Sequence, residues 1–413
     1  MKTLNKTVRE DGLRVITKKL NGSKRVIVCV SALAGSANDP VDKEGLFHFF
    51  EHMGFKGTAR RSMSDVKEVL GLLLRSNAYT ADLRTTYFGE AVYTKLPLLQ
   101  DIIFDIYTNS IFPLEEIEKE KEVVLNEAAM REDQDSHKAY SMLRKILWEK
   151  NPARRVGVGT AEGLAKIDRK ILIDTHKYWY DSSNTVVVAA GRIDHEKFVK
   201  ESYATFPLSR CNANKVSWVD EADVLPVKRF SVIERKNREK GVVVWGCKIP
   251  KLSDKEKIAT YIISSMLGGG FDSLLWSEVR EKRGLVYSAR SHLDVNNLAS
   301  LMTFHADMMP NRVEEVKSLM RDVICDHELR EQHFNRVKTV TGDAFLLSQE
   351  DLGDWINLIH NKIVDDNQDS AFLDGYINKR IKMLRSISFE EVLEMRKKLL
   401  CNERMACAVV KPV

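Results

Sequence analysis

A chain of 413 residues is too long for one hydrophobic core, so two or three domains are expected. With 44% hydrophobic and 30% charged residues, its composition is that of an ordinary soluble globular protein. Its 64 basic and 59 acidic residues are spread along the chain with a net charge of +5, which excludes a nucleic-acid-binding arm, and no apolar run approaches the ~20 residues of a membrane span.

The first dozen residues lack the apolar region of a signal peptide. Residues 12–17 and 24–33 read as two strands around an Asn21-Gly22 turn. A loop, Ala34–Pro40, leads into Gly45–Thr58, which reads as a helix. His48 and His52 lie four residues apart on it, so their imidazoles project from one face, one turn apart. That spacing lets two side chains grip one zinc ion, and Glu51 beside them can take a proton from water activated by the metal. The order H-x-x-E-H is the inverted zinc motif. A bare five-residue match is as readily a solvated helix face. Against that reading, Leu46, Phe47, Phe49, Phe50 and Met53 bury the rest of the helix, where two histidines and a glutamate are costly without partners.

Ser62–Leu74 predicts a helix with Ser62 as cap, and Asn77–Tyr93 one or two strands. Pro97 opens a helix that runs to about Tyr107. Pro113–Glu132 is a long charged helix whose acids mostly have nearby lysines and form a solvated face. Glu120 and Glu127 are the exceptions: seven apart, they share a face, and either could supply the carboxylate that a two-histidine site lacks. Helices over 161–178 and 195–206 flank a buried strand, Asn184–Gly191. Cys211–Asn214 and Asp220–Pro226 read as a linker.

After residue 228 the pattern begins again, with strands at 228–234 and 241–248 and a helix over Ser273–Arg280. Each half closes on a helix and an apolar strand: Ile167–Tyr178 with Asn184–Gly191, and Ile387–Leu400 with Met405–Val410. The expectation is two homologous α+β domains, 1–210 and 228–413, joined by 211–227, each a mixed sheet packed with helices. Only the first contains H-x-x-E-H. Gly268-Gly269-Gly270 lacks the frame of a phosphate loop and reads as a turn, and the other eight histidines have no ligand spacing. Six cysteines are scattered without a C-x-x-C pair, which suits a reducing compartment. A cytoplasmic protein is the expectation, or one of an organelle matrix if a targeting segment precedes this sequence.

Four stretches together carry a resemblance: Gly45–Thr58, Asn77-Ala78-Tyr79-Thr80, the Glu120/Glu127 pair and Arg280–Ser288. They resemble the pitrilysin, insulysin and mitochondrial processing peptidase family, in its short branch, across nearly the whole chain. The resemblance implies a zinc endopeptidase of half-clamshell fold acting on peptides or unfolded segments. It implies one Zn2+ held by His48, His52 and Glu127, with Glu51 as general base and Glu120 supporting the ligands. Asn77, Ala78, Tyr79 and Thr80 then bind substrate backbone. Arg280 and Tyr287, otherwise ordinary packing and surface groups, reach the substrate from the opposite half. Short members need two chains to close a chamber, so a homodimer is expected, with a heterodimer of homologous chains as the other arrangement. The competing reading is a non-catalytic scaffold or regulatory subunit of a processing complex. The sequence departs from the family at Gly71-Leu72-Leu73-Leu74-Arg75-Ser76, where Gly-Gly is usual, and at Ala81-Asp82-Leu83-Arg84.

Overall fold

The computed structural model describes residues 4–155, 157–209, 218–365 and 375–413, and the first part of the expected linker, Cys211–Asn214, lies outside them. The chain forms two compact units. The first holds the strands β1 (Leu4–Val8), β2 (Arg14–Lys19), β3 (Arg25–Ala32), β4 (Arg75–Thr80), β5 (Thr85–Val92) and β6 (Thr185–Gly191), in the order β1-β2-β6-β3-β5-β4. The second holds β7 (Phe230–Arg235), β8 (Gly241–Ile249), β9 (Val286–Asp294), β10 (Ser300–Met308) and β11 (Ala406–Pro412), in the order β7-β11-β8-β10-β9.

These orders correspond strand for strand once β1 is set aside. β2 pairs with β6, and β7 with β11, in parallel. The other pairings, β6 with β3 and β11 with β8 onwards, are antiparallel in both sheets. The internal duplication read from the sequence therefore extends to the hydrogen-bonding pattern of the two α+β units.

One local expectation fails. β2 and β3 do not form a hairpin at Asn21-Gly22, because β6 lies between them. All seven residues of β6 are buried, and a strand with no solvated side needs a neighbour on each edge. The hairpin forms one strand earlier, between β1 and β2. The polar run Leu-Asn-Lys-Thr-Val gives β1 little signal.

Helices cover the sheets: α1 (Leu46–Met53), α2 (Met63–Gly71), α3 (Leu96–Thr108), α4 (Leu114–Asp133), α5 (Asp135–Leu147), α6 (Ala161–Ala165), α7 (Arg169–Trp179) and α8 (His195–Thr205), then α9 (Asp254–Gly268), α10 (Val313–Cys325), α11 (Glu331–Leu347) and α12 (Leu352–Ile359). Ser62 caps α2 through a reciprocal bond with Asp65, and Asp168 caps α7, which splits the expected 161–178 helix in two. Ser273–Arg280 is mostly a π-helical turn, Trp276–Glu281. Two further helices, Tyr376–Ser386 and Phe389–Leu399, precede β11. Among the described residues no helix is long and apolar enough to cross a membrane.

The units are not the contiguous stretches 1–210 and 228–413. Met130–Arg155 belongs to the second unit and Ser348–Asp374 to the first. α5 packs on β8 and β11, where a Cβ on Gly246 would stand 2.8 Å from Leu143. α12 packs on β6 and β3, and just past its end His360 Nε2 lies 3.0 Å from Ser31 Oγ on β3. The two helices occupy corresponding places in the repeat, so each repeat lends the other a helix. The second part of the expected linker is anchored as well. Glu221, 6% exposed, accepts the backbone N–H groups of Glu149, Lys150 and Asn151 at 3.3, 3.1 and 2.7 Å.

Candidate metal centre

α1 is short and starts abruptly. Its N-cap, Gly45, has φ 98°, and a Cβ there would stand 2.6 Å from the Cα of Gly159, itself at φ 92°. Both positions need glycine because two backbones touch where conformation is left-handed. The carboxylate of Asp39 accepts the N–H groups of Gly45 at 2.7 Å and Phe47 at 3.0 Å, which satisfies donors the helix leaves open. Phe47, Phe49, Phe50 and Met53 are buried in the core of the first unit. That packing fixes the rotation of the helix and turns His48 and His52 toward α4, with Glu51 against Thr80 of β4. On α4, Ile117, Glu120 and Val124 are buried and Glu127 half-buried on successive turns.

The structure brings three of the expected residues together. His48 Nε2 lies 3.7 Å from Glu127 Oε2, and His52 Nε2 lies 3.6 Å from the same oxygen. One donor atom from each of the three falls within 4.8 Å of the others, and among the described residues this is the one such group of His, Cys, Asp or Glu. Zinc bonds of about 2.0–2.1 Å at tetrahedral angles place ligand atoms about 3.3 Å apart. The two distances to Glu127 exceed that by a few tenths of an ångström, and the full spread of the trio, within 4.8 Å, exceeds it by up to about 1.5 Å, so side-chain adjustment would accompany binding of the ion. Two imidazoles and a carboxylate also match zinc chemically, and three protein ligands leave a fourth position for a reactant.

Glu120 supports this arrangement. Its Oε1 is 2.8 Å from His52 Nδ1, and its other oxygen is paired with Lys56. An ionised carboxylate only accepts, so Nδ1 carries the proton and Nε2 is left to face Glu127. Burial pushes the Glu120 carboxyl up, but the hydrogen bonds from His52 and Lys56 outweigh it and hold it below the usual carboxylate range. Glu51 is 8% exposed. Thr80 Oγ1 donates to its Oε2 at 2.7 Å, and the Tyr87 hydroxyl donates to its backbone carbonyl at 3.4 Å. Burial, then the Glu51 charge, pushes the Tyr87 phenol well up, so it stays a neutral donor.

Asn77, Ala78, Tyr79 and Thr80 all lie on β4, which ends the sheet among the described residues and packs beside α1. Arg280 and Tyr287 belong to the second unit. The Arg280 guanidinium lies 3.8 Å from the centre of the Trp276 ring. Tyr287, 52% exposed, donates to Met309 Sδ at 3.0 Å with Lys240 over its ring. Sequence reasoning missed Asp39, Lys56 and the inward face of Thr80. Lys56 had a signal, since it follows His52 by one helical turn, whereas Asp39 and Thr80 meet α1 only through the fold.

Residues 14–160 match the family model described as insulinase (peptidase family M16), and residues 166–340 match the peptidase M16 inactive domain. An uncharacterized zinc protease of Streptomyces coelicolor is 28% identical over 86% of this chain and 80% of its own. One from Bacillus subtilis is 23% identical over 98% and 97%. Among solved structures, a protease from Helicobacter pylori superposes with a TM-score of 0.89 at 18% identity, covering 99% of both chains. An M16 inactive-domain protein of Pseudomonas fluorescens gives 0.87 at 17%, covering 99% of this chain and 98% of that one.

Proposed function

Because the chain belongs to the insulinase-type M16 peptidase family, we propose that it is a zinc-dependent endopeptidase acting on peptides and unfolded polypeptide segments. The observation that carries this reading is the convergence of His48, His52 and Glu127 within 4.8 Å, with Glu51 on the same helix. Zinc held there supplies a Lewis acid and lowers the pKa of water toward ~7. The Glu51 carboxylate takes the proton of the attacking water and returns one to the leaving amine. Glu120 keeps the His52 proton on Nδ1 and so fixes the direction of Nε2. The edge of β4 from Asn77 to Thr80 binds an extended peptide through main-chain hydrogen bonds, which any sequence can supply.

The word inactive in the second family description falls on residues 166–340, which include none of His48, Glu51, His52 and Glu127. That favours catalysis over a scaffold role. The reading keeps Arg280 and Tyr287 as substrate contacts and two copies closing a chamber, both supported by the resemblance alone, and a cytoplasmic site of action, supported by the scattered cysteines alone. Metal analysis should find one zinc per chain. Mass spectrometry of a peptide library should show internal cleavage that stops with a chelator and returns with zinc. A pure protein with neither zinc nor cleavage would establish the scaffold reading instead.

A further inference from the structure

We propose that Thr80 is the positioning residue of the general base: its hydroxyl pins one oxygen of Glu51 and thereby aims the other. This inference rests on Glu51 acting as the base. Thr80 ends β4, where it pairs with Thr85, a fully buried residue of β5. Its hydroxyl reaches Glu51 Oε2 at 2.7 Å and the Phe47 carbonyl at 3.4 Å. A hydroxyl has one proton to give, and the nearer acceptor is a carboxylate, whose hydrogen bonds are the stronger. The Phe47 carbonyl, four residues before Glu51, has its own place in the helical ladder. The proton therefore belongs to Oε2.

A glutamate carboxylate turns broadly about its last torsion. Binding Oε2 fixes that rotation and sets the direction of Oε1. The pin itself is stiff, because threonine is β-branched and sits on a paired strand. It also comes from the strand whose outer edge is proposed to bind the peptide, so substrate and base share one support. Thr80 then has two faces: its backbone serves the peptide and its hydroxyl serves Glu51. A hydroxyl that merely contacted substrate would act on binding. One that aims the base acts on turnover, and a misplaced catalytic group costs up to about a hundredfold in rate.

The test compares Thr80→Val, which keeps the shape without the hydroxyl, with Thr80→Ser, which keeps the hydroxyl. For Thr80→Val the expected result is a kcat lower by about 10- to 100-fold with KM within about twofold of wild type. Zinc affinity from chelator competition should be unchanged, and Thr80→Ser should recover most of the lost kcat. Calorimetry with a peptidyl phosphinate, a mimic of the tetrahedral state, gives a readout without turnover. Thr80→Val should weaken the phosphinate by about tenfold or more and leave an uncleaved peptide unaffected. Wild-type kcat and phosphinate affinity in Thr80→Val would overturn the assignment, as would a loss confined to KM or to zinc affinity. Glu51→Gln run alongside separates the two levels. If it is inactive while Thr80→Val is fully active, only the assignment to Thr80 falls; if it cleaves normally, the base reading falls with it.

Discussion

The two units share a strand order and the sense of every corresponding pairing, yet they differ completely at the helix that follows the third strand of the shared order. In the first unit β3 leads to α1, which buries His48 and Glu51. In the second, β8 leads to α9, which buries Ile258, Ile262, Ile263, Met266 and Leu267 in an apolar stripe. The second unit thus shows that the architecture closes without burying any ionisable group at that helix, whose buried polar residues, Thr260 and Ser264, are hydroxyls. Ionisable groups cost the most free energy to bury, so their presence in α1 calls for a chemical reason rather than an architectural one. The buried carboxylates differ in the same way. Glu278 is tied within its own segment by Lys282 at 2.6 Å and Arg283 at 3.0 Å, and by His327 at 3.1 Å. Glu120 passes its influence through His52 to Glu127.

The contrast breaks most visibly at the base. Glu51→Gln should lower kcat/KM by about a thousandfold or more while zinc content stays at the wild-type value, as read by peptide assay and metal analysis. Normal cleavage would leave the two units chemically alike. Next in size is Glu127→Gln. Zinc at about 100 times its Kd should stabilise the wild type by about 2.7 kcal/mol, visible as a raised Tm, and the variant should show no such rise. Hydrogen exchange sharpens this, since zinc should slow α1 and α4 and leave β8 and β11 unchanged. Glu120→Gln should then weaken zinc by about 10- to 100-fold in chelator competition, without abolishing it. The smallest effect belongs to the second unit. Burial raises the Glu278 carboxyl, but Lys282, His327 and Arg283 hold it at about 2. A depressed folded pKa contributes stability above the ordinary carboxylate range and loses it as pH falls through the folded value. The Tm gap between wild type and Glu278→Gln should be widest above pH 4.5 and close toward pH 2, with or without zinc.

Much of the site was legible because its signals are local. His48, Glu51 and His52 lie within two turns of one helix, and Glu120 and Glu127 within two turns of another, so helical spacing alone gave each set its face. The meeting of the two sets needed the family resemblance. The duplication was legible from the closing helix and strand of each half, since apolar runs such as Thr185–Gly191 survive as patterns. Strand order was not, because Asn21-Gly22 looks like any hairpin turn and nothing near it announces that β6, which starts at Thr185, will arrive between its flanking strands. Asp39 and Thr80 were hidden for the same reason. Each meets α1 across a loop or a strand, and a single sequence does not display pairings set by the closing of a sheet.

The loan of α12 to the first sheet has a consequence for synthesis. A nascent chain that has passed residue 191 holds every strand of that sheet but lacks the helix that covers β6 and β3. The cover arrives only when Leu352–Ile359 has left the ribosome, so the metal-ligating half, although begun first, waits for residues made after most of the second half. A stalled chain ending before Leu352 should have protease-sensitive β3 and β6, and one extended past His360 should not. The order of manufacture and the order of completion thus part company: the first sheet cannot close its core until most of its sister repeat exists.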